Sequence, residues 1–163
     1  MKLLINDANI LIDIIKIEMI DEFLALQFEL KTTDFVFAEL HPEQQKLFES
    51  KKLGIIESIE TEDIRGIFNL LENSKGISFE DCSVWYYAKK MNGIIVTGDR
   101  SLMKMVKPNG VEVRGIIYLI EEMKNQQLIS NSQAIHKLKT LIKINPRLPK
   151  AIIENIISSW IDH

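Results

Sequence analysis

The chain has 163 residues, length enough for one domain with a substantial hydrophobic core. A net charge of −3 and an ordinary apolar fraction exclude a disordered or fibrous chain and leave the choice of partner open. A single cysteine, Cys82, excludes an internal disulfide and points to a reducing, cytoplasmic setting. Apolar runs are too short to span a bilayer, and Asp7 interrupts any leader-like stretch after Met1-Lys2, so neither a membrane partner nor a secretory leader is expected. The charge is unevenly spread: between Lys124 and Ile153 stand six Lys or Arg residues and no Asp or Glu. A basic segment beside acid-rich chain suits a phosphodiester substrate.

Taken in order, residues 2 to 6 read as a first strand and Ala8 to Ile15 as a buried helix, with Asp7 or Asn9 as its cap. A short helix follows over Met19 to Gln27. Thr33-Asp34 then precedes Phe35-Val36-Phe37, read as the second strand. From Ala38 the pattern turns helical, with Pro42 near the first turn and an end at Gly54 after Lys51-Lys52. Ile55 to Ile59 reads as a third strand. Thr61-Glu62-Asp63 starts a helix with Ile64, Ile67, Phe68 and Leu71 inward, closed by Gly76. Ser78 to Asp81 resembles a capping box for a helix to about Met91.

Ile94-Ile95-Val96 is a β-branched run typical of a strand buried on both faces. Thr97-Gly98 breaks it, and Asp99 stands where the next helix, Ser101 to Val106, begins. Val111 to Val113 predicts an edge strand, Ile116 to Gln126 a helix, and Ser130 with Gln133 a capping box for a helix to Ile144. Asn145-Pro146-Arg147-Leu148-Pro149 ends that helix, and Lys150 to Ile161 forms the last one.

Alternating strands and helices predict an α/β fold: a parallel, roughly five-stranded sheet flanked by helices in three layers. The last two helices lie outside the alternation. The division expected is an α/β domain over 1–126 and a helical extension over 127–163 packed on it.

Asp7 and Asp99 each follow a strand, Glu39 follows the Phe35–Phe37 run, and Asp81 opens the helix leading into the Gly93 stretch. In open α/β sheets the carboxyl edge is where ligands bind. Singly, each acid is explained as a helix cap or a first-turn charge. Together on one rim they would repel unless protons were shared or a cation sat among them. Magnesium and manganese prefer such hard oxygen donors, and a metal there activates water for phosphoryl displacement.

Asn6-Asp7-Ala8-Asn9, the acid in Phe37-Ala38-Glu39-Leu40, Ser78-Phe79-Glu80-Asp81-Cys82-Ser83 and Val96-Thr97-Gly98-Asp99-Arg100-Ser101-Leu102 resemble the four signatures of PIN-domain ribonucleases. They occur in that family's order over about the first 120 residues. The resemblance implies Asp7, Glu39, Asp81 and Asp99 as Mg2+- or Mn2+-binding acids, with Asn9 and Thr97 as supporting residues. Asp7, Asp81 and Asp99 would hold the metal, and Glu39 would position the attacking water or accept its proton. It further implies an endoribonuclease acting on RNA, the toxin of a toxin–antitoxin pair held by a small antitoxin, and a homodimer. The tail beyond about 128 resembles the helical extension of a PIN subgroup. The alternative is a PIN fold kept as a catalytically silent binding module.

Arg100 beside Asp99, and Lys137, Lys139, Lys143, Arg147 and Lys150 in the tail, are candidate RNA-backbone contacts, against the plainer reading of a solvated helix face. Cys82 reads as a small buried thiol and His41 as an exposed first-turn residue; His136 and His163 have no spaced partners for a zinc site. Of Trp85, Tyr86 and Tyr87, one or two should be core. A receiver domain needs an acid pair after strand one, and a haloacid-dehalogenase-type phosphatase needs an aspartate where Asn9 stands. Nucleotide-cofactor fingerprints are missing.

Overall fold

A computed structural model describes residues 1–49 and 52–161. The apolar run predicted at the amino end forms β1 (Leu3–Asn6), every residue of it buried, and leads through Asp7 into α1 (Ala8–Lys16). α2 (Ile20–Leu24) is shorter than its predicted span. There follow β2 (Glu29–Thr33), α3 (Asp34–Glu39), α4 (Pro42–Phe48), β3 (Gly54–Ile56), α5 (Thr61–Glu72) and α6 (Phe79–Met91). The second half contains β4 (Ile94–Val96), α7 (Arg100–Val106), β5 (Val113–Arg114), α8 (Ile116–Asn125), α9 (Asn131–Ile144) and α10 (Lys150–Ile161).

The five strands are parallel, in the order β3-β2-β1-β4-β5, within a three-layer α/β/α architecture. The chain runs outward from β1 to β2 and β3, then returns to lay β4 on the other side of β1. That reversal puts the switch point between β1 and β4, where crevices form outside the carboxyl ends of strands. Leu4, Ile5 and Ile95 are fully buried in these strands, as expected of a sheet covered on both faces. Among the described residues, no helix is long and apolar enough to cross a membrane.

The second strand is Glu29–Thr33, and Phe35–Phe37 is helical. Thr33 explains the difference: its hydroxyl accepts the Val36 amide at 3.1 Å, capping α3, so the chain leaves the sheet there. Within α3 the three apolar residues spread around a helix, Val36 fully buried and both phenylalanines half-buried. Gly54 opens β3 rather than ending a helix. Its neighbour in the sheet is Lys31, whose Cγ would stand 3.2 Å from an added Cβ, so glycine allows the close pairing. Lys51, expected in the last turn of that helix, lies outside the described residues, as does His163.

β3 stops at Ile56 because the Ser58 amide donates to Asp34 Oδ2 at 2.8 Å. β5 begins two residues later than predicted. Phe68, expected on the inner face of α5, is 49 % exposed; Ile67 takes the core position. α5 is held to α6 by Asp63, which accepts from the Tyr86 hydroxyl and from Lys90 Nζ, each at 2.6 Å. These two donors keep the Asp63 carboxyl below its usual range. Trp85 and Tyr87 are buried, and Tyr86 is half-buried against α5.

Of the last two helices, α9 packs on α8 and α10 on α9. Lys137 donates to the Ile17 carbonyl at 2.7 Å, and the Asn145 amide donates to Asp13 Oδ2 at 3.0 Å, so α9 and the loop after it are tied to α1.

Candidate metal centre

The acids are set by the ends of helices. Asp7 caps α1: its Oδ1 accepts the Ala8 amide at 2.9 Å. Its Oδ2 accepts the Thr97 hydroxyl at 2.7 Å and the Asn9 amide at 3.4 Å. Asn9 in turn accepts the Gly98 amide on Oδ1 at 3.0 Å. The turn after β4 is therefore stitched to the turn after β1 by side chains from both. Asp99 caps α7, its Oδ1 accepting the Ser101 and Leu102 amides at 2.8 and 3.2 Å. Asp81 closes the predicted capping box, accepting the Ser78 amide on Oδ2 at 3.1 Å.

Each acid thus has a structural duty, yet the duties leave oxygen to spare. Among the described residues, Asp99 Oδ2 carries no hydrogen bond, and the Glu39 carboxylate has none at all. Glu39 ends a short helix rather than a strand. It is placed by α3, which is joined to α6 through the 2.8 Å pair of the Thr33 and Ser83 hydroxyls.

The electrostatics mark these groups as neighbours. Asp7, 4 % exposed, is pushed up to about 6, chiefly by burial and further by Asp81 and Asp99, against the lowering hydrogen bond from Thr97. Glu39, exposed at the end of α3, is pushed up to about 7 by loss of water around its carboxyl, then by Glu80, Asp7 and Asp81. Burial, with Asp99 beside it, also raises Asp81. Repulsion of this kind is relieved by protons or by a bound cation.

Among the described residues, no three His, Cys, Asp or Glu side chains close into a cage able to hold a metal. Magnesium keeps several waters and takes only one or two protein carboxylates, so an open set of hard oxygen donors fits it. Glu80, the largest charge acting on Glu39, was not singled out from the sequence; its position next to Asp81 in the Ser78–Ser83 phrase was the available signal.

The candidate basic residues divide. Arg100 and Arg147 line the cleft beside Asp99, with Arg100 Nη2 donating to the Arg147 carbonyl at 3.3 Å. Lys137 is committed to the Ile17 carbonyl. Lys139 and Lys143 project from α9, and Lys150 lies 4.0 Å from Glu154; none of the three lines that cleft. Cys82 is fully buried and its thiol is pushed up to about 11 by that burial, which suits a packing role. An opening of about 980 Å³ lies at the opposite end of the sheet, against Leu3, Gly93 and Val111, away from the four acids.

Asp7 and Asp99 follow the adjacent central strands β1 and β4 of an all-parallel α/β/α sheet, the edge at which open α/β sheets bind ligands. A PIN-domain family model matches residues 3–162, and the chain belongs to that family. PIN domains are generally nucleases that use divalent metals and bind RNA. The match includes α9 and α10 as well as the sheet. No curated protein matches the chain.

Proposed function

We propose that this protein is a Mg2+- or Mn2+-dependent endoribonuclease. The observation that carries this reading is the convergence of Asp7, Glu39 and Asp81: burial raises each carboxyl, and acids from separate elements raise it further. Asp7, Asp81 and Asp99 are the residues that would hold the metal. When bound, the metal supplies an activated water and neutralises charge developing on the phosphate.

The protein's own groups supply the rest. Thr97 and Asn9 hold Asp7 Oδ2 in one orientation. Glu39, poised near neutrality, accepts the proton lost by the attacking water, since a base works best with a pKa close to the working pH. Arg100 and Arg147 are placed to steady the RNA backbone beside Asp99.

The toxin role, a small antitoxin partner and a homodimer belong to the same reading and rest on the family resemblance, whereas a cytoplasmic location rests on the single cysteine. The division into a PIN-like body over 1–126 and a helical extension over 127–163 rests on the last two helices lying outside the strand–helix alternation, and the ties from α9 to α1 support the packing of that extension. Purified protein should cut single-stranded RNA with manganese or magnesium, stop on chelation and resume when metal is restored. RNA that persists under every one of these conditions overturns the nuclease reading.

One observation favours a second reading, a silent binding module: the acids do not close into a three-ligand set. That module would bind RNA with the same affinity whether or not the metal is present.

A further inference from the structure

Beside the acids lies a second, more enclosed space of about 410 Å³, entered from the same rim. One wall is Asn9, Thr97 and Gly98, the residues that orient Asp7 and lead to Asp99. Asn145, Arg147, Leu148 and Pro149 of the loop between α9 and α10 also line the space, with the apolar Met103, Ile116 and Ile117. Pockets of this size, mostly apolar with a few placed polar groups, are the ordinary form of a small-ligand site.

The polar groups are specific. Asp13, 8 % exposed, lines the space and accepts the Asn145 amide on Oδ2, while its Oδ1 carries no hydrogen bond among the described residues. Asn145 Oδ1 accepts the Arg147 amide at 3.2 Å, and among the described residues Nδ2 makes one hydrogen bond, to Asp13, so one of its two protons stays available. An acceptor and a donor therefore stand side by side in an apolar cavity. That is the complement of the edge of a nucleobase, where an N–H lies next to a carbonyl or ring nitrogen. Burial pushes the Asp13 carboxyl above its usual range, against the lowering Asn145 amide and Lys16, so the cavity holds an incompletely solvated acceptor. The cleft joining this space to Asp99 is flanked by Arg100 and Arg147, where a phosphate following the base would run.

We propose that this cavity is a base-binding subsite: it takes one unpaired RNA base next to the phosphate presented to the acids, and Asp13 with Asn145 reads that base's edge. The inference rests on the ribonuclease reading for its substrate, and it gives α9 and α10 a task, since Asn145, Arg147, Leu148 and Pro149 of their connecting loop line the pocket. An unpaired base is required, because a duplex cannot deliver a base edge into so enclosed a space.

The test uses the full chain with metal chelated, so that binding is read without cleavage. Fluorescence anisotropy compares a labelled single-stranded RNA hexamer, the same hexamer carrying one abasic position scanned along it, and the hexamer annealed to its complement. Gly115 lines the cavity with an extended backbone, and the nearest atom to an added Cβ is the Thr97 carbonyl oxygen at 3.7 Å, so a side chain can be introduced there. In Gly115→Phe the ring should occupy the cavity. Arg147→Ala, at an exposed position, serves as a second variant that does not touch the core.

The expected result is at least about tenfold weaker binding for one abasic position and for the duplex, the scale of a lost base contact. That base dependence should vanish in Gly115→Phe with its melting temperature retained, and Arg147→Ala should weaken all RNAs uniformly. Equal binding of the intact and abasic hexamers overturns the proposal, as does base dependence that survives in Gly115→Phe. If Gly115→Phe melts early, chemical-shift changes at the Asn145 side-chain amide of the wild type on adding the hexamer decide instead; their absence overturns it. Base-dependent binding without metal-dependent cleavage sinks the nuclease reading and keeps the subsite, whereas cleavage without base dependence does the reverse.

Discussion

The Thr97 hydroxyl donates to Asp7 Oδ2 at 2.7 Å across 90 residues of sequence, and Thr97 Oγ1 in turn accepts the Asp99 amide at 3.1 Å. One side chain thereby couples the acid after β1 to the acid after β4. Thr97→Val keeps the shape and deletes both bonds, leaving the buried Asp7 carboxylate and the Asp99 amide short of a partner. A loss of about 1–3 kcal/mol in stability is expected for such groups. Because the Thr97 bond lowers Asp7, its pKa should rise further in the variant, and metal binding should shift to higher pH. Thr97→Ser should restore both. A Thr97→Val protein with the wild-type pH profile of metal binding contradicts this coupling.

Asp7→Asn should separate function from stability. The raised Asp7 pKa amounts to about 3 kcal/mol of disfavoured charge in the metal-free fold. The asparagine removes that charge but places an NH2 group against the Thr97 and Asn9 donors, offsetting part of the gain at about 1 kcal/mol per lost hydrogen bond. A net stabilisation on the order of 1 kcal/mol at neutral pH is expected, with cleavage abolished. Chemical denaturation and an RNA assay on one preparation check both halves.

The acid rim also sets a pH dependence. Asp7 and Glu39 have folded pKa values raised to about 6 and about 7. A raised carboxyl favours the fold only while protonated, so its contribution is complete below the unfolded value near about 4 and is lost as pH rises through the folded value. Asp63, whose pKa is lowered, acts oppositely: its contribution is present above the unfolded value and lost only as pH falls through its folded value. The chelated protein should therefore lose stability between about pH 4 and about pH 7, and manganese should restore it above that window but add little near about pH 5. Melting temperatures with and without chelator at the two pH values test this; an equal metal effect at both would count against the rim as the binding place.

Gly66 gives a prediction independent of the site. An alanine in mid-helix ordinarily stabilises by about 1 kcal/mol over glycine. Here an added Cβ would collide with Cε2 of the Tyr86 ring, and that ring is held by its 2.6 Å hydrogen bond to Asp63. Overpacking of about 1–3 kcal/mol should outweigh the helix gain, so Gly66→Ala lowers the melting temperature. In Tyr86→Phe, where the ring is released from Asp63, the same alanine should be better tolerated.

These residues show which levels of the structure local sequence carries. Ser78 with Asp81 and Ser130 with Gln133 specified their helix starts because a capping box is a contact within three residues. Ile94–Val96 was legible because a short β-branched run between turns has few other uses. Phe35–Val36–Phe37 misled, since an apolar triplet fits a strand or a short helix equally. The deciding signal was the cap offered by Thr33, together with the alternation of Leu30 and Thr32 ahead of it.

At the site, the type and order of the acids were readable, but their mutual influence was not. Whether Glu39 feels Glu80 or Asp7 depends on how α3 docks on α6 through Thr33 and Ser83, a contact spanning 50 residues. The tie between Asp13 and Asn145 spans 132 and left no local trace. Lys137 and Arg147 belong to the same basic stretch, yet one holds a helix end and the other faces the cleft.

The most direct measurement is a calorimetric titration of manganese into wild type and Asp99→Asn, with RNA cleavage followed on the same samples. Asparagine still caps α7, so the variant keeps its fold while losing a carboxylate from the rim. The metal-nuclease reading predicts binding and cleavage in the wild type and the loss of both in Asp99→Asn. Cleavage by Asp99→Asn at the wild-type rate, or no manganese binding by the wild type even with RNA present, would contradict it.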